Sequence, residues 1–540
     1  MNRLTKKQFT RIAVCAIATL AITACSSEEV TPQDKQQQKT EKAVATFTGS
    51  QPNNDSDVPT RTTATYTLGN SAKVFWQASD KVFVKDDAGV YHQSNAANIY
   101  DSNNKTRAIF NFNSGTYTLD NRDVHYTGLN GTDANTVTIA KEQKQVNAND
   151  FSHLGKSGDC GVAKAQGSNG NYKFTLQHKA SYLCFVPRCM NTALGPNINL
   201  KKITVKANQP IAGKYDFTNG TLVQKAGETY SNTITLETGN FSLNTTTADV
   251  TKNGAYMVIA PGTYDFTITY TIKDPTTNVE VDIVKTVDNY DCYEGKINDI
   301  TAWIDKDIND YSKQHYMWDA VDYYWKGHEE DAPKVAYTAP AHPTYPQGPS
   351  DSRWYNTASF PAQATRSSKD LPNANAMTWY AKYGDMHWDT SIFWSLNGHL
   401  YRGGVWVKTR AKLTSEGHYS TTITADGDAD LRTHTTFYNV QYSHPSNGRP
   451  TNYATDYFYW PATSFYEPLT TSSFPGANIR NKGGLIEPGV HCYMWSSTVA
   501  KTFYAKPSAY YLDFQSATHL AHMFIGDKDD AFPSDPTIFK

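Results

Sequence analysis

Three consecutive residues, His387, Trp388 and Asp389, combine side chains that suit the binding of a sugar. The face of an aromatic ring packs against the apolar C–H surface of a sugar, and carboxylate and imidazole groups bind its hydroxyls. Tryptophan is more often a core residue, so a structural role for Trp388 is the alternative. The sequence predicts a ligand contact at these three positions, whereas we interpret Trp460 and Trp495 as core residues.

A run of acidic residues offers a second kind of chemistry, the binding of calcium. Asp426, Asp428 and Asp430 alternate along the chain, as carboxylate ligands do in a calcium loop. Leu431 occupies the position that needs glycine in such a loop, and Phe437 the position that needs glutamate. The pattern therefore favours a solvated turn, and we predict no bound metal and no cofactor.

Motifs for catalysis are missing from the sequence, which contains neither HExxH nor GxSxG. Gly155-Lys156-Ser157 resembles the end of a phosphate-binding loop, but Asp150 stands where its first glycine belongs. We therefore expect a protein that is not an enzyme. A surface glycoside hydrolase with an aromatic cleft stays open, because two carboxylates suffice for that reaction and the sequence does not place them.

The charge balance and the cysteine content exclude one class of function and predict the state of the thiols. The chain has 50 Lys and Arg residues against 52 Asp and Glu residues, a net charge of −2. This balance excludes a general nucleic-acid binder, which needs a basic excess. Beyond the first 25 residues the cysteines are odd in number and form no CxxC pair, so we expect buried free thiols. These cysteines are Cys160, Cys184, Cys189, Cys292 and Cys492.

The amino terminus has the three parts of a lipoprotein signal. Four basic residues precede an apolar stretch over 12–24, which ends in small residues just before Cys25. We predict that residues 1–24 are a signal peptide, that Cys25 carries lipid such as palmitate, and that 25–42 form a polar tether. A soluble signal peptide cut nearby and a plain hydrophobic amino terminus are the alternatives. No later segment reaches 18 apolar residues, so the lipid is the expected membrane attachment.

The elements that must position these residues are strands. Aromatic residues make up 13% of the chain and charged residues 19%, and apolar residues alternate with Thr between turn signals. In Phe266–Ile272 every second residue is apolar, and the same period returns after residue 278, which predicts an antiparallel hairpin. We therefore predict a mostly β fold with β-sandwich domains at 43–168 and 169–305, a linker at 306–350 and an aromatic-rich module at 351–540.

The first part of the chain resembles the fimbrillin-like proteins of Bacteroidetes, the lipoprotein subunits of type V pili. The resemblance implies two transthyretin-like β-sandwich domains, a cell outer membrane location with surface exposure, and assembly into a fimbrium. It rests on the signal and on a series of short matches that follow one another in order. They are Ala43–Thr48, Thr60-Arg61-Thr62, Trp76 with Asp80, His178-Lys179-Ala180, Ile211–Tyr215, Ala260–Tyr264 and Gly295-Lys296-Ile297.

This resemblance also implies strand exchange between subunits. Residues 43–61 would be a propeptide containing the strand 43–48, removed by cleavage between Arg61 and Thr62. Loss of a strand opens an apolar groove with unpaired backbone groups, which a strand of another fimbrial subunit can fill. The alternative for Arg61 is a surface residue in a polar tether.

The last module resembles C-type-lectin-like modules of the tip fimbrillins, an α+β fold. The matches are Trp379-Tyr380, Gly403–Trp406, Tyr457–Ala462, Tyr493–Thr498 and Ala509–Phe514. This implies a tip adhesin that accepts a donor strand, donates none, and binds a host or microbial surface ligand, with carbohydrate as the candidate. The rival binding hypothesis is a glycan-binding lipoprotein of a polysaccharide-uptake system, permanently anchored through Cys25.

Overall fold

The computed structural model describes residues 43–52, 66–69, 74–99, 105–338, 344–467, 483–502 and 506–539. Cys25, Arg61 and Thr62 lie outside these residues, as do the predicted signal peptide and tether. The described chain is mostly β, as the alternating sequence predicts. No helix within it is long and apolar enough to span a bilayer.

Eight strands of the amino-terminal region form one continuous sheet in the order β3-β2-β5-β8-β9-β1-β4, with β10 paired to β8. Strand β8 pairs with β5 through its first half and with β9 through its second, and both parts of the sheet enclose one aromatic-rich core. The strands up to residue 178 are β1 (Ala45–Ser50), β2 (Phe83–Lys85), β3 (Tyr91–Gln93), β4 (Arg107–Phe112), β5 (Arg122–Tyr126), β6 (Thr136–Ile139), β7 (Glu142–Gln145), β8 (Gly161–Ser168), β9 (Asn171–Thr175) and β10 (Gln177–His178).

The next strands build a second sandwich from the sheets β16-β11-β19 and β18-β17-β12-β15-β7, with a small sheet β14-β13-β6 beside them. Between these sheets lies a large apolar core. The strands are β11 (Ser181–Arg188), β12 (Asn199–Ala207), β13 (Ala212–Asp216), β14 (Tyr230–Ser231), β15 (Thr233–Ser242), β16 (Ala255–Ile259), β17 (Gly262–Asp274), β18 (Val279–Cys292) and β19 (Ile297–Trp303). The predicted hairpin is confirmed as the antiparallel pair β17–β18.

The two sandwiches interlock in sequence. Residue 168, where the sequence analysis divides them, ends β8, and the turn after it leads into β9 of the same sheet. Strands β6 and β7 precede that position, yet they pair with β13 and β15 of the second sandwich. The Gly- and Asn-rich turn at 169–170 is therefore a hairpin turn, and sheet pairing crosses the predicted boundary in both directions.

The carboxyl-terminal module has three four-stranded sheets, β20-β31-β26-β27, β24-β21-β22-β25 and β23-β30-β29-β28. Its strands are β20 (His315–Met317), β21 (His387–Leu396), β22 (His399–Lys408), β23 (Val440–Ser443), β24 (Ser446–Asn447), β25 (Tyr457–Pro461), β26 (Phe465–Tyr466), β27 (Leu485–Ile486), β28 (His491–Ala500), β29 (Ser508–Gln515), β30 (Leu520–Asp527) and β31 (Ala531–Pro533). The α-helices of the described chain are α1 (Leu154–Ser157), α2 (Val250–Asn253), α3 (Ala374–Tyr383), α4 (Arg410–Ser415) and α5 (Tyr453–Asp456), and its 3-10 helices are Gly195–Asn197, Glu329–Asp331 and Pro536–Phe539.

The segment predicted as a linker is largely part of this module. β20 pairs with β31 near the end of the chain, and Trp318, Tyr324 and Trp325 are buried. The Trp318 indole donates a hydrogen bond to the Ser496 carbonyl at 3.0 Å. A linker over 306–350 is therefore wrong for the described residues 315–332, because their aromatic side chains are buried in the cores of the module.

A buried contact between a histidine and a carboxylate joins the module to the second sandwich. His399 Nδ1 lies 2.9 Å from Asp274 Oδ2, and the same carboxylate oxygen accepts the Leu400 backbone N–H at 3.0 Å. Burial alone raises the pKa of Asp274, but the hydrogen bonds from His399 and Leu400 outweigh it and hold this pKa below its ordinary value. Leu400 itself packs into the core of the second sandwich. These contacts fix how the module sits on the sandwich.

Candidate functional site

Strand β1 is an interior strand of the first sheet. It pairs antiparallel with β4 along its whole length and parallel with β9 from Thr46 to Ser50. Buried residues alternate with half-buried residues along β1, as expected for a strand with one face in the core. The strand predicted at 43–48 is thus confirmed, with its bounds shifted to Ala45–Ser50.

Phe47 is the one large apolar side chain that β1 places in the core. Its side chain has no exposed surface, and its ring stacks on Tyr172 with a centroid distance of 4.6 Å. Phe112 and Tyr117 meet the same ring edge-on at 5.1 and 5.5 Å. The other inward positions of β1 are Ala45 and Gly49. We call the space that β1 fills the β1 groove; its lining consists of Phe110, Phe112, Tyr172 and Phe174.

Gly49 allows β1 to lie close to these rings. A Cβ atom at this position would stand 2.5 Å from Phe174 and 2.9 Å from Phe110. The Gly49 carbonyl also accepts a hydrogen bond from the Trp76 indole at 3.2 Å. Any strand that occupies the β1 groove in the same register therefore needs glycine here, two residues after a large apolar side chain.

A polar network follows the end of β1. The His178 side chain is 6% exposed, with Nδ1 2.8 Å from Asp159 Oδ1 and Nε2 3.0 Å from Gln51 Oε1. Both ring nitrogens face acceptors, which suits an imidazolium that donates from each. Burial lowers the pKa of His178, but the Asp159 carboxylate outweighs it and holds the pKa above its ordinary value. Gln51 therefore ties the chain just beyond β1 to a charged pair in the sandwich.

A second buried carboxylate lies on the same side of the sandwich. Asp80 accepts hydrogen bonds from the Tyr126 hydroxyl at 3.0 Å and from the Gln77 backbone N–H at 2.7 Å. Burial raises the pKa of Asp80 to about 6. Asp159 contributes further to this rise. The amino-terminal sandwich thus holds two groups, Asp80 and His178, that stay protonated at higher pH than in an unfolded chain.

His387, Trp388 and Asp389 open strand β21, and the structure does not bring all three together. Trp388 lies parallel to the Phe514 ring, 6.2 Å between centroids, and packs against the core of the module. Asp389 is buried and accepts hydrogen bonds from the Trp406 indole at 2.9 Å and the Ser391 N–H at 2.8 Å. Burial raises the pKa of Asp389, but these hydrogen bonds outweigh the effect of burial and hold the pKa below its ordinary value.

The third member of this group, His387, is half-buried, and its Nε2 lies 3.4 Å from Asp385 Oδ1. In a strand, successive side chains point to opposite faces, so His387 and Asp389 share a face that excludes Trp388. A ligand could meet His387 there, but not the indole face that the sequence analysis pairs with it. Trp460 and Trp495 are buried, as interpreted from the sequence.

Two carboxylates of the acidic run at 426–430 are paired with basic side chains. Asp426 accepts a hydrogen bond from Lys382 Nζ at 2.8 Å, and Asp430 pairs with Arg432 Nη2 at 2.6 Å. Within the described ranges, the group of His and carboxylate side chains close enough to share a metal is His328, Glu330 and Asp331. The five cysteines at 160, 184, 189, 292 and 492 are buried free thiols, as predicted.

The carboxyl-terminal module has a cleft that was not predicted from the sequence. It has a volume of 1230 Å³, and its walls come from α3, α4, the segment 363–373 and the last residues before 540. Aromatic side chains and cations line it together: Tyr380, Tyr419 and Phe539 with Lys369, Arg410 and Arg432. The aromatic runs around Trp379 and Tyr380 gave the signal that the module is rich in rings, but not which of them meet.

Comparison with known proteins gives weak likenesses. No protein-family model and no curated protein matches the chain. A candidate cell adhesion protein from Bacteroides ovatus shares 14% identity at a TM-score of 0.31, over 48% of this chain and 93% of that one. A candidate cell adhesion protein from Bacteroides uniformis shares 13% identity at a TM-score of 0.28, over 48% of this chain and 93% of that one. A fimbrial protein from Bacteroides ovatus shares 13% identity at a TM-score of 0.22, over 91% of this chain and 98% of that one. At these values the likenesses assign neither a family nor a function to the chain.

Proposed function

We propose that this protein is a non-enzymatic surface adhesin of a type V-like pilus, which exchanges β1 for a strand of a neighbouring subunit. The observation that carries the proposal is the position of β1, a single short strand held between β4 and β9. It is the first strand of the described chain, and the segment after Pro52 leads to Arg61, the predicted cleavage site. A cut at that site would separate β1 covalently from the rest of the sandwich.

Loss of β1 would create a site with high affinity for an extended peptide. The facing edges of β4 and β9 would lose their backbone partners, and the rings that line the β1 groove would meet water. An exposed edge beside an apolar groove binds another strand, since backbone hydrogen bonds supply affinity and alternate side chains supply register. The expected donor repeats the inward pattern of β1: a small residue, a large apolar residue and glycine at alternate positions.

The carboxyl-terminal module supports a terminal place in the pilus. Strand β30 lies between β29 and β23, and β31 lies between β20 and β26. Phe539 is buried, 5.0 Å from the Tyr380 ring and 5.2 Å from the Phe458 ring. None of the described residues 508–539 forms a free arm that could enter a neighbour. We propose that the subunit accepts a strand, presents its module outward, and is held at the outer membrane through lipid on Cys25 before assembly.

Strand exchange can be tested on the full chain with an Arg-specific protease. The protein is digested with and without the protease, and a labelled peptide with the sequence of residues 43–52 is then offered as a surrogate donor. We expect a new amino terminus at Thr62, release of the segment that contains β1, and uptake of the labelled peptide. A peptide in which the position of Phe47 is Ala should compete poorly.

Two variants make this test specific. Arg61→Gln should block both the new terminus and the uptake of peptide. Arg402→Gln, which changes an exposed arginine on β22 of the carboxyl-terminal module, should leave both unchanged. Uptake by the uncut Arg61→Gln protein, or no uptake after complete cleavage, would contradict strand exchange. Hydrolysis of plant or host glycans by the purified protein would contradict the non-enzymatic part of the proposal.

A further inference from the structure

We infer that the cleft of 1230 Å³ in the carboxyl-terminal module binds a carboxylate-bearing oligosaccharide through Arg410, with the hydroxyl of Tyr380 as a second contact. This inference rests on the proposed adhesive function and names its ligand class. It is carried by an arginine without an acidic partner, an unpartnered buried hydroxyl and an aromatic lining that meet in one cleft.

Arg410 is the first of these features. It is exposed at the start of α4, and its guanidinium lies over the Tyr419 ring, 5.1 Å from the centroid. No carboxylate pairs with its side chain among the described residues. Arg432, by contrast, is neutralised by Asp430 at 2.6 Å. An arginine held flat on an aromatic ring keeps its planar fork of donors available, and that fork matches a carboxylate with two parallel hydrogen bonds.

The hydroxyl of Tyr380 is the second feature. Tyr380 has no exposed surface, and its hydroxyl has no hydrogen-bond partner in the described part of the chain. Burial raises the pKa of Tyr380, the nearby Tyr419 raises it further, and Arg410 opposes both. The Tyr419 ring meets the Tyr380 ring edge-on, with 6.0 Å between the centroids. A buried polar group without a partner costs stability and marks a place where a ligand can complete the bonding. Tyr380 and Arg410 line the same cleft.

The remaining lining favours a sugar over other anions. Aromatic faces pack against the C–H surface of a sugar ring, and uncharged polar side chains bind its hydroxyls. The cleft contains both kinds, and its volume exceeds what a small molecule of ordinary size occupies, which suits several linked sugar units. The uncharged polar lining consists of Gln363, Asn373, Thr414, Ser415, Thr421 and Ser497. Lys369 adds a second cation at the cleft, and Asp370 a single carboxylate.

The test measures binding of the full chain to immobilised glycans by interferometry. The probes are sialyllactose and trigalacturonate as acidic glycans from two sources, lactose as the neutral parent, sulfated lactose, and a polyglutamate peptide. We expect binding to sialyllactose, trigalacturonate or both, which identifies the source, and at least about 10-fold weaker binding to lactose, as one charge-assisted hydrogen bond predicts. Equal binding to lactose or polyglutamate, preference for the sulfate, or no binding to either acidic glycan would overturn the inference.

Variants assign the binding to the cleft. Arg410→Ala should weaken binding by about 10-fold or more, and Arg410→Lys, which keeps the charge but loses the fork, should restore only part of it. Arg402→Ala removes an exposed arginine of β22 outside the cleft and should change nothing. Equal losses in Arg402→Ala and Arg410→Ala would mean that net charge, not the cleft, holds the glycan, and would refute the inference.

Tyr380→Phe separates binding from folding. Because the hydroxyl has no partner in the free protein, its removal should leave the melting temperature unchanged or higher. Glycan binding should still fall, by several-fold. Unchanged binding in Tyr380→Phe would exclude the hydroxyl as a contact. Strand uptake after Arg-specific cleavage is measured on the same preparations, so a failed glycan assay with intact strand uptake rejects this inference and leaves strand exchange standing.

Discussion

The strand-exchange proposal makes its sharpest prediction at Phe47. Replacing a fully buried phenylalanine with alanine costs about 3–5 kcal/mol, and this ring also makes three aromatic contacts within 5.5 Å. Ala45 and Gly49 offer little else to hold β1 in place. Phe47→Ala should therefore destabilise the uncut amino-terminal sandwich by about 3–5 kcal/mol, a large part of the stability of an ordinary domain. After cleavage and uptake of a wild-type donor peptide, the same substitution should have no effect, because residue 47 has left the fold.

Hydrogen-exchange mass spectrometry measures this difference locally, since it follows peptides from β4 and β9 separately from the other domains. A loss of 3 kcal/mol corresponds to exchange that is faster by at least about 100-fold. Phe110→Ala is the matched control: Phe110 is also fully buried, 4.9 Å from the Trp76 ring, but it belongs to β4 and stays in the protein. It should speed exchange in both forms. If Phe47→Ala speeds exchange equally before and after peptide uptake, β1 has not been replaced and the proposal is wrong.

Three further predictions concern charge. The pKa values of Asp80 and His178 are raised in the folded protein, so each group stabilises the fold fully at low pH, and this stabilisation is lost as pH rises. For Asp80 the loss falls between pH of about 4 and 6 and amounts to roughly 2–3 kcal/mol. For His178 the loss falls above a pH of about 6.5. Asp80→Asn and His178→Gln should each remove the pH dependence of the melting temperature within the window of the replaced group and leave it unchanged elsewhere. Asp274→Ala breaks a buried pair and should cost about 3–5 kcal/mol in urea unfolding, whereas Asp307→Ala, at an exposed pair, should cost under about 1 kcal/mol. Burial lowers the pKa of Lys528 to about 7, so the stability of the module should rise between a pH of about 7 and 10. Lys528→Met should remove that rise. If the stability of the wild-type protein does not change with pH in this range, the lowered pKa of Lys528 is contradicted.

Sequence periodicity predicts the strands that have one face in a core and one in solvent, such as β17. The hairpin β17–β18 was predicted from alternation and the strand β1 from the family resemblance, and both were found near the expected residues. The order of strands in the sheets could not be predicted this way. Strands β6 and β7 lie in the second sandwich although the chain has not yet finished the first, since pairing depends on complementary edges and not on distance along the chain.

The linker error has a different physical cause. Proline and polar residues between 338 and 350 are typical of a loop, and the sequence analysis extended that reading back to residue 306. The aromatic residues at 318, 324 and 325 argue against it, because three large rings exposed together on a linker would be costly. They are buried instead, with Tyr324 stacked on Tyr466 at 5.3 Å. Aromatic density was the better guide in this segment.

The same reasoning explains why the sugar-binding prediction and the cleft differ. Three adjacent residues of one strand cannot line one side of a pocket, since the strand sends alternate side chains to opposite faces. In the strand-like sequence around Trp388, this alternation places the indole on the face opposite to that of His387 and Asp389. The cleft instead joins Tyr380 on a helix, Arg410 on another helix and Phe539, the last described residue. No spacing rule connects Tyr380 with Arg410, 30 residues further on, or with Phe539, 159 residues further on. Only folding shows that an arginine without an acidic partner and a tyrosine with an unpartnered hydroxyl line the same cleft.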